Sequence, residues 1–411
     1  MPRSTHGRNR TIYRGLLIVG LAATVGLVGA CTPKQKATWG GGSGAGKGTI
    51  EQQDAAKVSA AVSTPAANAT NVAANAAVSY TTSDLATSAE VKVTDPAGRV
   101  IPGTHNAASK KWTPRSPLQW GTTYTVTVTA AGADGTTAVA TSSFTTVKQP
   151  QQLVNVSSFL GDGQTVGVGM PLMITFGRAV PENLRAYVQR KMTVTTVPAQ
   201  VGSWYWLDGQ NVHYRPKTYW KAGTKIDYRV AVRGVPMGTG WFGGTDLNVH
   251  VNIGSAVIMN VDNASKSMTI TKDGKVIRKM PVSLGKKSTP SSSGTLLVME
   301  RFRRTIFDTR RELGPKLGYR AKIEYAQRLT WGGEFIHAAP WSVAQQGHTN
   351  TSHGCVNVST ANAAWLFNLT KIGDVVVVKG TERTIQPGNG WTDWNRSWSD
   401  YVQGSALPVA S

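Results

Sequence analysis

Cysteine is almost absent from this chain, whose 411 residues include only Cys31 and Cys355. Two thiols permit at most one intramolecular disulfide, so a small fold held together by several disulfides is excluded. No Cys-x-x-Cys pair and no His-x-x-x-His pair occurs, although such spacings are typical of zinc sites. Each of the two cysteines therefore needs an explanation of its own.

A long apolar segment is also lacking. The N-terminal apolar run, Gly15–Ala30, has 16 residues, fewer than the ~20 that a membrane-spanning helix needs. It follows a basic start without acidic residues and ends in small residues before Cys31, a pattern that predicts a secretory signal. The end resembles a bacterial lipobox, in which Cys31 becomes lipidated; an uncleaved N-terminal anchor is the alternative. Both predict an extracytoplasmic protein held at the outer face of the cell membrane.

Acidic residues are scarce: 22 Asp and Glu stand against 44 Lys and Arg, for a net charge of +22. This excess predicts a polyanionic partner. Nucleic acid is not the predicted partner, because a secreted lipoprotein rarely meets it and no run of Lys and Arg interleaved with aromatic residues occurs. An anionic cell wall or membrane surface is the predicted partner, and a basic surface without a specific ligand is the alternative.

Short alternating strands separated by turn residues extend from about Ser79 to Ile253, a pattern typical of small β-sandwiches. The segments Gly121–Val126 and Gly223–Val230 resemble each other at a spacing of 102 residues, which predicts two tandem immunoglobulin-like domains. Their predicted role is that of a spacer. The alternative is glycan binding by three aromatic residues, Trp204, Tyr205 and Trp206.

A third β-rich region begins near Ser255 and contains a predicted hairpin with an Asp273-Gly274 turn. Residues 301–330 are charged and irregular, which predicts a lid or binding loop. The C-terminal tail carries Trp391, Trp394 and Trp398, which are predicted to pack it onto this region.

The sequence thus predicts a mainly β protein with six segments. These are a signal peptide and lipobox (1–31), a flexible linker (32–78), a first sandwich (79–150, with a start near 50 left open), a second sandwich (151–253), a catalytic domain (254–380) and a tail (381–411).

Cys355 lies in the run Ser352–Asn357, between a glycine and a β-branched residue and near a histidine. A nucleophilic thiol needs a base, a small neighbour and backbone N–H groups for an oxyanion. His337, 18 residues upstream, is the predicted base, and a nearby imidazole is expected to lower the pKa of the thiol. The alternatives are a buried structural cysteine and zinc ligation by four side chains, His337, His348, His353 and Cys355.

His337 followed by Thr351–Asn357 is similar to the signature of the L,D-transpeptidase catalytic domain, the YkuD family. The segment Thr289-Pro290…Gly294 also resembles the opening strands of that family. With the lipobox, two immunoglobulin-like modules and a Trp-rich tail, nearly the whole mature chain resembles the mycobacterial members.

The resemblance implies a reaction on peptidoglycan stem peptides. Cys355 attacks the carbonyl of the third residue, diaminopimelate, in a donor tetrapeptide, His337 takes the thiol proton, and D-alanine leaves. A side-chain amine of diaminopimelate on a neighbouring stem resolves the thioester into a cross-link. The resemblance also implies covalent inhibition by carbapenem β-lactams and no cofactor. The alternatives are an L,D-carboxypeptidase and a non-catalytic wall-binding lipoprotein.

The resemblance further assigns roles to individual residues. The carbonyl of Ala338 orients the His337 ring, and His353 shapes the site or moves a proton. The remaining roles are oxyanion donors (the N–H groups of Gly354 and Cys355), substrate contacts (Tyr319, Gly332, Gly333 and Asn357) and an apolar lid position (Phe307). Some relatives carry an acidic loop late in the second sandwich, but residues 237–245 here contain no carboxylate. No metal is therefore predicted.

Overall fold

Strands dominate the structure, a computed structural model that describes residues 57–308, 310 and 320–408. The described residues belong to one compact unit, and the predicted mainly β fold class is confirmed. The predicted lipidation site Cys31 and the predicted substrate contact Tyr319 lie outside the described residues. Within the described ranges, no helix has the length and apolar character needed to cross a membrane.

The first sandwich consists of eight strands: β1 Ala60–Thr64, β2 Ala69–Val72, β3 Val78–Thr82, β4 Ala86–Thr94, β5 Gly103–Asn106, β6 Lys111–Pro114, β7 Thr123–Gly132 and β8 Thr137–Thr146. They form two sheets with strand orders β1-β3-β6-β5 and β2-β8-β7-β4. Alternate residues of β7, Tyr124, Val126 and Val128, are buried, as expected of a strand with one face on a core. Residues 60–78 were predicted to be linker, with an earlier start of the sandwich left open, and they are part of this sandwich. Their small side chains hid the alternation of the strands in the sequence.

The second sandwich contains a helix and ten strands: α1 Glu182–Gln189, β9 Gln152–Val154, β10 Val156–Ser158, β11 Gln164–Val166, β12 Leu172–Phe176, β13 Met192–Val197, β14 Gly202–Trp206, β15 Asn211–Pro216, β16 Lys225–Val230, β17 Trp241–Gly243 and β18 Leu247–Ile253. Its main sheets have strand orders β10-β12-β15-β14 and β11-β18-β16-β13, and β9 pairs with β17. Trp204 and Trp206 are buried and Tyr205 stacks on Tyr401. Burial of Trp204 and Trp206 favours a role in the fold over glycan binding, and the glycan-binding alternative stays a prediction.

The described residues of the C-terminal region form ten strands and a helix: β19 Val257–Asp262, β20 Ser267–Lys272, β21 Lys275–Pro281, β22 Ser292–Leu297, β23 Glu300–Asp308, β24 Arg320–Arg328, β25 Phe335–Ala338, β26 Val356–Val358, β27 Val375–Lys379, β28 Arg383–Thr384 and α2 Thr360–Leu369. A six-stranded sheet has the order β21-β20-β19-β27-β22-β28, and a four-stranded sheet has the order β23-β24-β25-β26. The four-stranded sheet carries the functional motif.

Strands β23 and β24 correct one prediction. The described part of the segment 301–330 is regular rather than irregular, because β23 and β24 pair in register from Glu300–Arg328 to Asp308–Arg320. Arg304 Nε lies 3.0 Å from Glu324 Oε1 across the pair. Charged residues are frequent in this segment and obscured the alternation of Ala321, Ile323 and Tyr325 in β24, so the pattern was not recognised as a strand.

The tail packs against the second sandwich as well as the catalytic region. It contains a 3₁₀ turn, Asp393–Asn395, and helix α3, Trp398–Gln403. Asp393 lies 3.0 Å from His213 Nδ1 of β15. The guanidinium of buried Arg215 stacks on the rings of three tail residues, Trp394, Trp398 and Tyr401. The tail was predicted to pack on the catalytic domain alone, because partners about 180 residues away in sequence are not visible in a local pattern.

Candidate active site

His337 and Cys355 meet because their strands are neighbours. Strand β25 pairs in parallel with β26, with His337 opposite Asn357, and Cys355 directly precedes β26. The chain between the two strands turns through the 3₁₀ helix Pro340–Ser342. Five site side chains line one cavity of about 530 Å³: His337, Ser342, His353, Cys355 and Asn357.

The His337 ring has a defined tautomer. Its Nδ1 lies 2.8 Å from the carbonyl oxygen of Ala338, and because a carbonyl only accepts, Nδ1 carries the proton. Nε2 therefore has a lone pair. Burial lowers the pKa of His337 to about 4, against a smaller opposing effect of the Ala338 hydrogen bond. The ring is neutral near pH 7 and able to accept a proton.

The Cys355 thiol is protonated in the resting enzyme. Burial raises its pKa to about 12; a hydrogen bond from the Phe335 backbone lowers the pKa, and the Glu334 carboxylate raises it. The thiol Sγ lies 3.7 Å from the carbonyl oxygen of Gly333. The expectation of a lowered thiol pKa is wrong for this state, because His337 is uncharged and burial dominates. Cys355 and His337 therefore line the same cavity as a neutral thiol and a neutral imidazole.

Short hydrogen bonds fix the loop around the thiol. Ser352 Oγ donates to the carbonyl of Cys355 at 2.6 Å and accepts the N–H of Gly354 at 3.1 Å. Ser291 Oγ donates to the carbonyl of Gly354 at 2.7 Å. Gly354 has a φ of +124°, a conformation that favours glycine. The oxyanion role of Gly354 and Cys355 stays a prediction. Since the Gly354 N–H is engaged by Ser352, the Cys355 N–H is the stronger candidate donor.

Glu334 supports this loop, although the sequence analysis missed it. Its carboxylate accepts the Ser292 backbone N–H at 2.9 Å and the Ser292 hydroxyl at 2.7 Å, and it pairs with Arg383. A Cβ at Gly354 would lie 3.4 Å from Glu334 Cγ. An acidic residue between Gly332-Gly333 and the apolar strand β25 was the available sequence signal.

We expect Glu334→Gln to raise the reactivity of Cys355. The substitution removes a carboxylate that raises the thiol pKa and leaves the Arg383 charge nearby, so alkylation by iodoacetamide at pH 8 should accelerate several-fold. The control is Glu324→Gln, which removes an exposed carboxylate that pairs with Arg304. Equal alkylation rates in wild type and Glu334→Gln would show that Glu334 exerts no electrostatic effect on the thiol.

The structure locates most of the other predicted site residues. Gly332 is exposed, and its N–H donates to Asn389 Oδ1 at 2.7 Å. The Phe307 ring packs edge-on against His337, with centroids 5.4 Å apart. His353 Nε2 lies 3.3 Å from Lys286 Nζ, and burial, with a contribution from Lys286, lowers the pKa of His353.

Asn357 is buried with an oriented amide. Its Nδ2 donates to Ser342 Oγ at 3.1 Å, and the Ser342 hydroxyl donates onward to the carbonyl of Ala339 at 3.3 Å. The Ser342 oxygen can therefore only accept from Asn357, which assigns the amide orientation. Oδ1 of Asn357 is then buried and has no hydrogen-bond partner among the described residues.

The described residues contain no group of three or more His, Cys, Asp or Glu side chains that could hold a metal ion. The four side chains considered as zinc ligands accordingly do not form such a group. The site chemistry available to these residues is therefore that of a thiol, an imidazole and backbone donors.

Known proteins with similar sequences identify the family. Residues 256–378 match the model of the L,D-transpeptidase catalytic domain, and residues 67–236 match that of a bacterial Ig domain. Over 343 residues the chain is 36% identical to L,D-transpeptidase 2 of Mycobacterium tuberculosis, covering 82% of this chain and 83% of that protein. The chain belongs to the L,D-transpeptidase family. This confirms the family and the enzyme class predicted from the motif.

Other L,D-transpeptidases are similar over shorter stretches. L,D-transpeptidase 5 of Mycobacterium tuberculosis is 34% identical over 328 residues, covering 77% of this chain and 71% of the relative. A solved L,D-transpeptidase in complex with imipenem is 33% identical, covers 56% of this chain and 100% of its own, and superposes with a TM-score of 0.48. A cysteine nucleophile is typical of L,D-transpeptidases, which act on the cell wall, and the role of Cys355 as that nucleophile stays a prediction.

Proposed function

We propose that this L,D-transpeptidase cross-links peptidoglycan through a thioester on Cys355, joining diaminopimelate residues at the third positions of two stem peptides. One observation carries the proposal. The same cavity is lined by the protonated thiol of Cys355 and by the neutral imidazole of His337, whose Nε2 has a lone pair. Such a pair performs acyl transfer without a permanent thiolate.

The protons balance over the two half-reactions. In the first, Cys355 Sγ bonds to the carbonyl carbon of diaminopimelate while its proton moves to His337 Nε2. The C–N bond then breaks, and the His337 proton goes to the amine of the leaving D-alanine. In the second, the acceptor amine attacks the thioester, His337 takes a proton from that amine, and the proton returns to the Cys355 sulfur as the C–S bond breaks. Backbone donors to the oxyanion would lower each barrier by about 3 kcal/mol.

Asn357 supports a peptide as the ligand. Its Oδ1 is a buried acceptor on the wall of the cavity without a partner among the described residues. An unpaired buried acceptor costs about 1–3 kcal/mol, and a peptide N–H of the donor stem would remove that cost. Ser342, which holds the amide nitrogen, fixes the direction in which Oδ1 points.

Product analysis with purified tetrapeptide muropeptides tests the proposal. The expected products are a cross-linked dimer and D-alanine in equal amounts. Trimmed tripeptide without dimer would instead establish an L,D-carboxypeptidase, in which water resolves the thioester. Absence of both products would support the non-catalytic wall-binding alternative.

The location outside the cytoplasm and the lipid anchor on Cys31 are also proposals. They rest on the basic N-terminus, the short apolar run and the small residues before Cys31. The two sandwiches then space the catalytic domain from the membrane, and the net charge of +22 favours an anionic wall. Metabolic labelling with a fatty acid tests the anchor, because label on the wild type should be absent from Cys31→Ala.

A further inference from the structure

Lys286 is fixed beside the catalytic loop by its backbone. The Ser352 N–H donates to the carbonyl of Leu284 at 3.0 Å, and the Lys286 N–H donates to the carbonyl of Ser352 at 3.0 Å. Gly285 and Ser352 form a parallel bridge between these two bonds. The segment 284–286 therefore runs along the segment that leads into Cys355, and the start of the Lys286 side chain is held there.

The Lys286 side chain reaches the wall of the cavity. Its Nζ lies 3.3 Å from His353 Nε2, and His353 lines the same cavity as Cys355. An ammonium group only donates, so Nε2 of a neutral His353 accepts this bond. The imidazole thereby holds the ammonium at the edge of the cavity, and no described residue accepts a hydrogen bond from its other two N–H donors.

No anion of the described chain neutralises this cation. Lys286 has no carboxylate within 4.0 Å among the described residues, and no Asp or Glu is among the described residues that line the cavity. Glu334, buried behind the catalytic loop, is already paired with Arg383. An unneutralised cation beside a cleft attracts an anionic ligand and hydrogen-bonds strongly to a carboxylate.

We propose that Lys286, held by His353, binds the free C-terminal carboxylate of the donor stem peptide. This inference rests on the proposed function. If D-alanine is the leaving residue, its carboxylate carbon is three bonds from the carbonyl that Cys355 attacks, a separation of about 4 Å. A cation that contacts His353, a residue of the cavity wall beside the catalytic loop, suits that carboxylate. Lys286 would then select donors that end one residue after the scissile bond.

Two matched donors test this selection. The first is a tetrapeptide stem with a free C-terminal carboxylate, and the second is the same stem with a C-terminal carboxamide. We expect wild-type kcat/KM for release of the fourth residue to be on the order of 10- to 100-fold higher for the acid. Lys286→Gln should lower kcat/KM by this factor for the acid donor and change it little for the amide donor. The ratio of the two kcat/KM values should therefore approach one.

Two further variants make the test specific. Lys286→Arg retains a cation and should retain most of the preference for the acid. Lys287→Gln removes the neighbouring exposed lysine, which makes none of the contacts described above, and should keep the wild-type ratio.

Three outcomes would overturn the inference. Equal use of both donors by the wild type would exclude recognition of the carboxylate. An equal loss on both donors in Lys286→Gln would assign Lys286 a structural role only. If the wild type releases no D-alanine from the acid donor, the proposed function itself fails and the inference fails with it. In the first two outcomes D-alanine is released, so failure of the inference is distinguishable from failure of the function.

Discussion

Cys355→Ser is expected to lower D-alanine release from a tetrapeptide donor by a factor on the order of 10⁴ or more. The thiol is the group that bonds to the substrate, and a serine hydroxyl in the same buried position is a weaker nucleophile. Cys355→Ala should in addition form no covalent adduct with a carbapenem, whose β-lactam carbonyl the thiol would open. Intact-protein mass spectrometry and a D-alanine assay measure the two effects.

The Cys355 variants should keep their fold, since serine and alanine are small enough for the position and the thiol contact to the Gly333 carbonyl, at 3.7 Å, is weak. Unchanged thermal unfolding of Cys355→Ala is the control. Cross-linking by the alanine variant at a rate within tenfold of wild type would contradict the role of Cys355 as nucleophile.

His337→Asn should reduce the acylation rate by about 10²- to 10⁴-fold, the usual contribution of a general base. Asparagine retains a donor for the Ala338 carbonyl but has no basic nitrogen to take the thiol proton. The matched control is His353→Asn, which replaces the second histidine of the cavity. Because Nε2 of His337 carries the lone pair in this structure, His337 should be the more sensitive position in a comparison of carbapenem acylation rates.

The pH profile of wild-type acylation tests the same assignment. His337 must be neutral to act as base, so the rate should fall as the pH drops through a pKa of about 4 and should be level above that. The Cys355 thiol, with a pKa of about 12, should add no thiolate-dependent rise near neutral pH. An acid limb centred near 6.5 would contradict a buried, neutral His337.

Local patterns predicted the sandwiches and the motif well. Alternation along β7 is visible because Tyr124, Val126 and Val128 face a core, and the run Ser352–Asn357 identifies the family on its own. Strands without that contrast were missed. Frequent charged residues obscure the apolar period of the β23–β24 pair, and the small side chains of β1 and β2 give little contrast between their faces.

The other features that the sequence did not predict are contacts between segments that are distant in the chain. Glu334 binds Ser292, Arg383 and the underside of the loop at Gly354, and these partners lie 42, 49 and 20 positions away. Arg215 stacks on tail residues some 180 positions later. Lys286 contacts His353 because an isolated parallel bridge pairs the neighbouring residues Gly285 and Ser352. Such pairings depend on how the strands align, and no local period encodes that alignment.

The protonation states of Cys355 and His337 in the resting enzyme differ from those expected from the motif. A histidine near a cysteine suggested a thiolate, but burial of both side chains favours their uncharged forms. Proton transfer then accompanies attack on the substrate rather than preceding it. We therefore expect the enzyme to react slowly with general alkylating agents and faster with ligands that occupy the cavity.

Trapping the acyl-enzyme tests the central claim most directly. The enzyme is mixed with a tetrapeptide donor without acceptor, and the intact protein and its peptides are weighed by mass spectrometry. A thioester on Cys355 predicts a mass increase equal to the donor minus D-alanine, located on the Cys355 peptide and lost as dimer forms once an amine acceptor is added. Release of D-alanine and formation of dimer without this adduct would contradict acyl transfer through Cys355.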